Sequence, residues 1–160
     1  MNIGAVPPER FERCILTAIN MGHCYEYASV TVQVHIAVWT ALAVAIDNWE
    51  VGADALKEFA PRMLAKTPQL HPLLDRYLEV LLETKYHFPP YAFSAIVTNA
   101  VQFINSMLLD KHEQEATCQH KALPYARYKR ARSGVGEVYG FFLWDKENFP
   151  MESPHAEVAA

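Results

Sequence analysis

The sequence predicts an all-α fold of about six helices in a single domain. Two observations carry this. Apolar residues recur at helical spacing along most of the chain, and the connections between these runs are short and rich in proline. A third removes the main competitor: the β-branched stretch SVTVQV continues into an Ala-rich run too long for one strand.

Taken in order, Pro7 and Pro8 precede ERFERCILTAINMG, where Phe11, Ile15, Ala18 and Ile19 share helical spacing. Proline suits a first helical turn, so a helix starts there and stops near Gly22. Residues 29 to 47 form the next helix, apolar enough on all sides to sit at the centre of the core. Gly52 marks its end or a tight turn. ADALKEFAPRMLAK is a short helix whose regularity Pro61 threatens. In PQLHPLLDRYLEVLLETKY, Leu70, Leu73, Leu74, Tyr77, Leu78, Leu81 and Leu82 define one apolar stripe, which the turn HFPP ends. YAFSAIVTNAVQFINSMLLDKHEQEA is a long helix, apolar through Leu109 and charged afterwards. A last helix runs from about Leu123 to Trp144, with Gly134 and Gly136 inside it. The domain covers residues 8–150, and MESPHAEVAA, residues 151–160, is a polar tail.

Composition narrows the function. Apolar residues make up 51% of the 160 residues and charged residues 20%, which is globular and far from disorder. The net charge of −4 argues against a general binder of nucleic acid or anionic membrane. Cys14, Cys24 and Cys118 form no CxxC pair and are odd in number, so a reducing, cytoplasmic setting is expected. MNIGAVPPER lacks the features of a secretory signal. VTVQVHIAVWTALAVAI carries Gln33 and His35 and ends at Asp47, too short and polar for a membrane span of about 20 residues.

Two places carry candidate chemistry. In AIDNWEVGAD, Asp47, Glu50 and Asp54 would share a face if the helix continued. Acids at a helix C-terminus are disfavoured by about 0.3–1 kcal/mol each unless a cation compensates. A hard divalent ion such as Mg²⁺ would do so. The alternative is a solvated helix end, with Asn48 capping the following helix. The second place is LPYARYKRARSGVGEVYGFFLWDKENFP. There Arg127, Lys129, Arg130 and Arg132 crowd together just before an apolar aromatic run. Arginine's planar fork suits phosphate oxygens, and glycine lets a ligand approach the backbone. The alternative is a basic helix end in solvent, paired with acids such as Glu137. In HEQEATCQH, His112 and His120 fall off one helical face and read as a solvated end, and His35 reads as a hydrogen-bonded core histidine.

The order of these segments resembles the trichodiene synthase family, the fungal class I sesquiterpene cyclases, over roughly residues 15 to 150. An apolar helix ends in "IDN", a leucine-rich helix follows, and then HFPPYAFSAIVTNAVQFINSMLL. The most specific part is Leu123-Pro124, Tyr128, Lys129-Arg130, Ser133-Gly134-Val135-Gly136 and Leu143-Trp144-Asp145-Lys146-Glu147. The resemblance implies the helical isoprenoid-synthase fold and a linear isoprenyl diphosphate, most simply farnesyl diphosphate, as substrate. Arg130 matches the family's diphosphate-sensing arginine, and Asp47 the first acid of its Mg²⁺-binding motif. Metal and arginine would stabilise the departing diphosphate. The cation left behind would meet aromatic faces drawn from Tyr91, Phe93, Phe103, Tyr139, Phe141 and Phe142. The chain departs from the pattern at Asn48, where the family has a second aspartate, and at Val51, with Glu50 as a substitute ligand one place early. The family's second metal motif, Asn-Asp-x-x-Ser-x-x-x-Glu, has no counterpart here. The resemblance therefore implies one wall of a metal site, in an incomplete cyclase that is inactive by itself. It also implies uncovered apolar surface, hence self-association. The other reading is a non-catalytic helical binding or scaffold protein on the same fold.

Overall fold

Two long apolar helices organise the fold: the earlier one packs against the first and fourth helices of the chain, and the later one receives the third and the last of those described. The computed structural model describes residues 8–48, 51–115, 127, 128, 130, 131 and 133–150. Among them the order is α1 (Pro8–His23), α2 (Val30–Asn48), α3 (Ala53–Ala65), α4 (Pro72–Glu83), a 3-10 turn (Thr84–Tyr86), α5 (Pro90–Glu115) and α6 (Val135–Phe141). Residues 127, 128, 130 and 131 are also helical, and no strand occurs among the described residues. The all-α expectation holds. The tail, residues 151–160, lies outside the described residues.

α1 folds back along α2, and Gly22 sets how close they come. A Cβ on Gly22 would stand 2.9 Å from the Gln33 carbonyl oxygen and 3.2 Å from Ala37 Cβ. The face of α1 that meets α2 is therefore small: Cys14 and Ala18 are buried, while Ile15, Leu16 and Ile19 are exposed. This corrects the stripe expected from spacing, in which Ile15 and Ile19 face the core. The Phe11 side chain lies outside the described residues. On α2, Val30, Val34 and Val38 are exposed at i, i+4 spacing. The opposite side supplies Val32, Ile36, Trp39, Ala43 and Ile46 to the core.

α3 contains Pro61 without breaking, and ends where Lys66 adopts φ 54° and its N–H caps the helix carbonyls. α4 begins at Pro72, with His71 Nδ1 accepting the Leu73 N–H at 3.2 Å. Its expected stripe is narrower than the leucines suggest. Leu74, Tyr77, Val80 and Leu81 are buried, whereas Leu70, ahead of the helix, and Leu82, about 100° past Leu81, are exposed.

Two helices, Val30–Asn48 and Pro90–Lys111, are long and apolar enough to cross a membrane by length and composition. Both place large side chains in the core: Ile36, Trp39 and Ile46 from α2, and Ile96, Phe103 and Ile104 from α5. Trp39 joins the layers. Its ring lies 5.8 Å from Tyr77 of α4, 5.6 Å from Tyr139 of α6 and 5.4 Å from Phe142, between centroids.

The chain after α6 is pinned to the α1–α2 corner. Asp145, fully buried, accepts the backbone N–H groups of Glu147 and Asn148 at 3.0 Å each and Asn148 Nδ2 at 2.9 Å. Asn148 Nδ2 also donates to the Tyr27 carbonyl at 3.1 Å. Buried acceptors satisfied in this way convert WDKEN from a loop into a fixed brace.

Candidate diphosphate and metal site

Asp47 is the penultimate residue of α2. Its side chain reaches the surface, yet surrounding protein displaces water from the carboxyl. That loss of solvent, followed by the charge of Asp110 on α5, raises its pKa above the ordinary carboxylate value. An acid remote in sequence, from the other long apolar helix, is thus near enough for its charge to act on Asp47. An oxygen-donor pair under mutual repulsion is the chemistry a hard divalent cation relieves, so the donors fit Mg²⁺. Among the described residues no group of three or more His, Cys, Asp or Glu side chains could hold a metal.

The rest of AIDNWEVGAD is arranged differently from the spacing-based expectation. α2 ends at Asn48 and α3 starts at Ala53, so Asp47 and Asp54 are not on one helix. Val51 is fully buried and draws the chain inward between them. Asn48 does not cap α3. Its Nδ2 donates back to the Val44 carbonyl at 2.8 Å, and Gly52 occupies the N-cap. Glu50 lies outside the described residues. Asp110 was missed from the sequence. Its only signal there is its place as the first acid after the apolar run of its helix.

Arg127 and Arg130 are exposed on the helical segment before α6. Lys129 and Arg132 lie outside the described residues, as do the side chains of His112, Glu115 and His120. The single helix expected from Leu123 to Trp144 is broken at Gly134. Ser133 closes the first piece, its N–H and Oγ donating to the Arg130 carbonyl at 3.3 and 2.9 Å. Gly134 then takes φ 71°. A Cβ there would stand 2.2 Å from the Asn99 carbonyl oxygen, so the glycine serves a backbone contact with α5 rather than the approach of a ligand. Gly136 lies inside α6 with open space around it. Among the described residues no ion pair joins Arg130 to Asp47 or to Glu137. What the two ends of the site share is α5, which carries Asp110, whose charge acts on Asp47, and Asn99 beneath Gly134.

The aromatic candidates divide. Phe103 and Phe142 are buried core, and Phe93 is half-buried. Tyr139 is half-buried, its hydroxyl donating to Thr40 Oγ1 at 3.1 Å while its carbonyl accepts from Tyr25 at 2.7 Å. Tyr91 is exposed and stacks edge-on against Phe141 at 5.9 Å.

An all-α bundle of this kind is consistent with the helical terpene-synthase fold. The chain is similar to terpene synthase BipA of Cochliobolus sativus, with 34% identity over 128 residues, 79% of this chain and 39% of that protein. Monoterpene synthase 25 of Postia placenta is 28% identical over 138 residues, 85% of this chain and 41% of that protein. Alpha-cuprenene synthase COP6 of Coprinopsis cinerea is 26% identical over 143 residues, 89% of this chain and 42% of that protein. The chain spans about two fifths of the length of these relatives. Their names run from terpene synthase to monoterpene synthase and alpha-cuprenene synthase, so the likeness is to fungal terpene synthases as a group rather than to one subfamily. No family model matches the chain.

Proposed function

We propose that this chain carries part of a Mg²⁺-dependent terpene synthase site that binds an isoprenyl diphosphate, with farnesyl diphosphate the first substrate to test. The observation that supports it most is that Asp47, at the end of α2, feels the charge of Asp110 on α5, the helix that also seats the segment bearing Arg130. Asp47 would hold the metal, with Glu50 as a further oxygen donor. When bound, Mg²⁺ supplies charge neutralisation at the diphosphate leaving group. Arg130 would grip the diphosphate oxygens through its planar fork, stabilising the charge that develops as the C–O bond breaks.

Binding separates from turnover in the test. The melting temperature of the chain is measured with Mg²⁺, with farnesyl diphosphate, and with both. Stabilisation requiring both is expected, about 2.7 kcal/mol when ligand stands at a hundredfold its Kd. Asp47→Asn and Arg130→Gln should each abolish it. No shift, or a shift indifferent to both substitutions, overturns the reading. Analysis of volatile products in the same mixtures addresses catalysis, for which the whole length of the relatives serves as the comparison.

A non-catalytic helical binding protein on this fold is the second reading, favoured by Asn48, whose amide bonds back into α2 where the family pattern has an acid. It predicts a melting temperature that the diphosphate leaves unchanged with or without Mg²⁺, and a shift requiring both counts against it. In either case the exposed Ile15, Ile19, Val34 and Val38 support self-association with a second copy of the chain. Sedimentation equilibrium should show a mass that rises with concentration and falls back to the monomer when Val34 and Val38 are replaced by Gln. A monomer at all concentrations would refute it.

A further inference from the structure

His35 stands within the most apolar helix, and its side chain is buried. Its Nε2 lies 2.9 Å from Thr84 Oγ1, which itself donates to the Val80 carbonyl at 3.3 Å. A hydroxyl has one proton to give. With that proton directed to Val80, Thr84 is placed to accept from a His35 ring that carries its hydrogen on Nε2. The His87 ring lies alongside, 4.7 Å away between centroids and tilted by 48°.

His87 is also where the C-terminal brace hangs. Its carbonyl accepts the Lys146 N–H at 2.9 Å, and Lys146 Nζ donates to the Lys85 carbonyl at 2.8 Å. Next to it, Phe88 packs on Phe142 at 5.4 Å. The charged groups around His87 are Glu83 from α4 with Lys146 and Glu147 from the brace, and His87 is the titratable group that faces His35.

We infer that His35, Thr84 and His87 form an acid-sensitive latch, which holds the brace around Lys146 to α2 while both rings are neutral and releases it when they are protonated. A proton on each ring would set two like charges side by side, one of them shut away from water. Burial lowers His35 from 6.5 to about 4, with His87 adding to the shift, and burial also lowers His87. The released state takes up more protons between pH 6.5 and about 4, so docking is complete above this window and weakens as pH falls through it.

Amide hydrogen exchange on the full chain at pH 7 and pH 5, corrected for the intrinsic pH dependence of exchange, reads the latch directly. Protection of the Lys146 amide should fall by about tenfold or more at pH 5 relative to the Ile104 amide in α5. His35→Gln keeps a donor toward Thr84 without titrating. His87→Gln changes a less buried ring and leaves the backbone carbonyl in place. Each should reduce the pH response. The latch is refuted if Lys146 stays protected at pH 5, if Lys146 and Ile104 lose protection together, or if neither variant alters the response.

Discussion

Trp39→Ala is expected to remove most of the stability of the helical core. The indole is fully buried and touches rings from α4, α6 and the chain just beyond α6. Truncating a buried tryptophan costs about 3–5 kcal/mol through lost transfer energy and the cavity left behind. A domain with a total of about 5–15 kcal/mol cannot absorb that easily. Urea unfolding followed by far-ultraviolet circular dichroism should show a large fall in midpoint, or a variant already unfolded without denaturant. Trp39→Phe, which keeps an aromatic ring among Tyr77, Tyr139 and Phe142, should lose markedly less. An unchanged midpoint for Trp39→Ala would mean that the three layers do not share this ring.

Gly134→Ala should have the second largest effect, for a different reason. A side chain at φ 71° is disfavoured by about 1–2 kcal/mol before any contact is considered. The added methyl would also meet the Asn99 carbonyl oxygen at 2.2 Å. That obstacle is helix backbone and cannot rotate away. α6 would have to lift from α5, drawing the fully buried Val138 and Phe142 with it. A loss of about 3 kcal/mol or more is expected. Because the segment bearing Arg127 and Arg130 is held through this glycine, diphosphate-dependent stabilisation should weaken beyond what the fold alone loses. Gly136→Ala is the control. It lies in α6 with nothing within 4 Å of the added carbon, and should be neutral or stabilising by about 0.5–1 kcal/mol. If both variants melt alike, the close approach of Gly134 to Asn99 is not what seats α6.

The candidate site was legible in unequal parts. Asp47 stands out as the first acid after a long apolar run, and Arg130 belongs to a visible basic cluster. Asp110 did not stand out, because an acid at the charged end of a helix reads as a solvated residue until the fold brings its charge to act on another acid. The position of Gly134 was visible, but its purpose was misread. Glycine beside arginine suggests room for a ligand, whereas the space is taken by the Asn99 carbonyl. His35 was read correctly as a hydrogen-bonded core histidine, although its partner, Thr84, lies 49 positions away.

By itself the sequence determined the all-α class, the approximate extent of α1 to α5 and the burial of much of α2. These depend on local spacing, prolines and the balance of apolar residues, which act within a few turns of one another. Only the tertiary structure decided which face of α1 is buried, where the last helix breaks, and which groups meet. Small residues at Cys14, Ala18 and Gly22 outcompeted Ile15 and Ile19 because α1 lies close on α2. Such outcomes are set by distance of approach between elements, as when the Tyr25 hydroxyl meets the Tyr139 carbonyl across 114 positions. Periodicity along one helix carries no information about that distance.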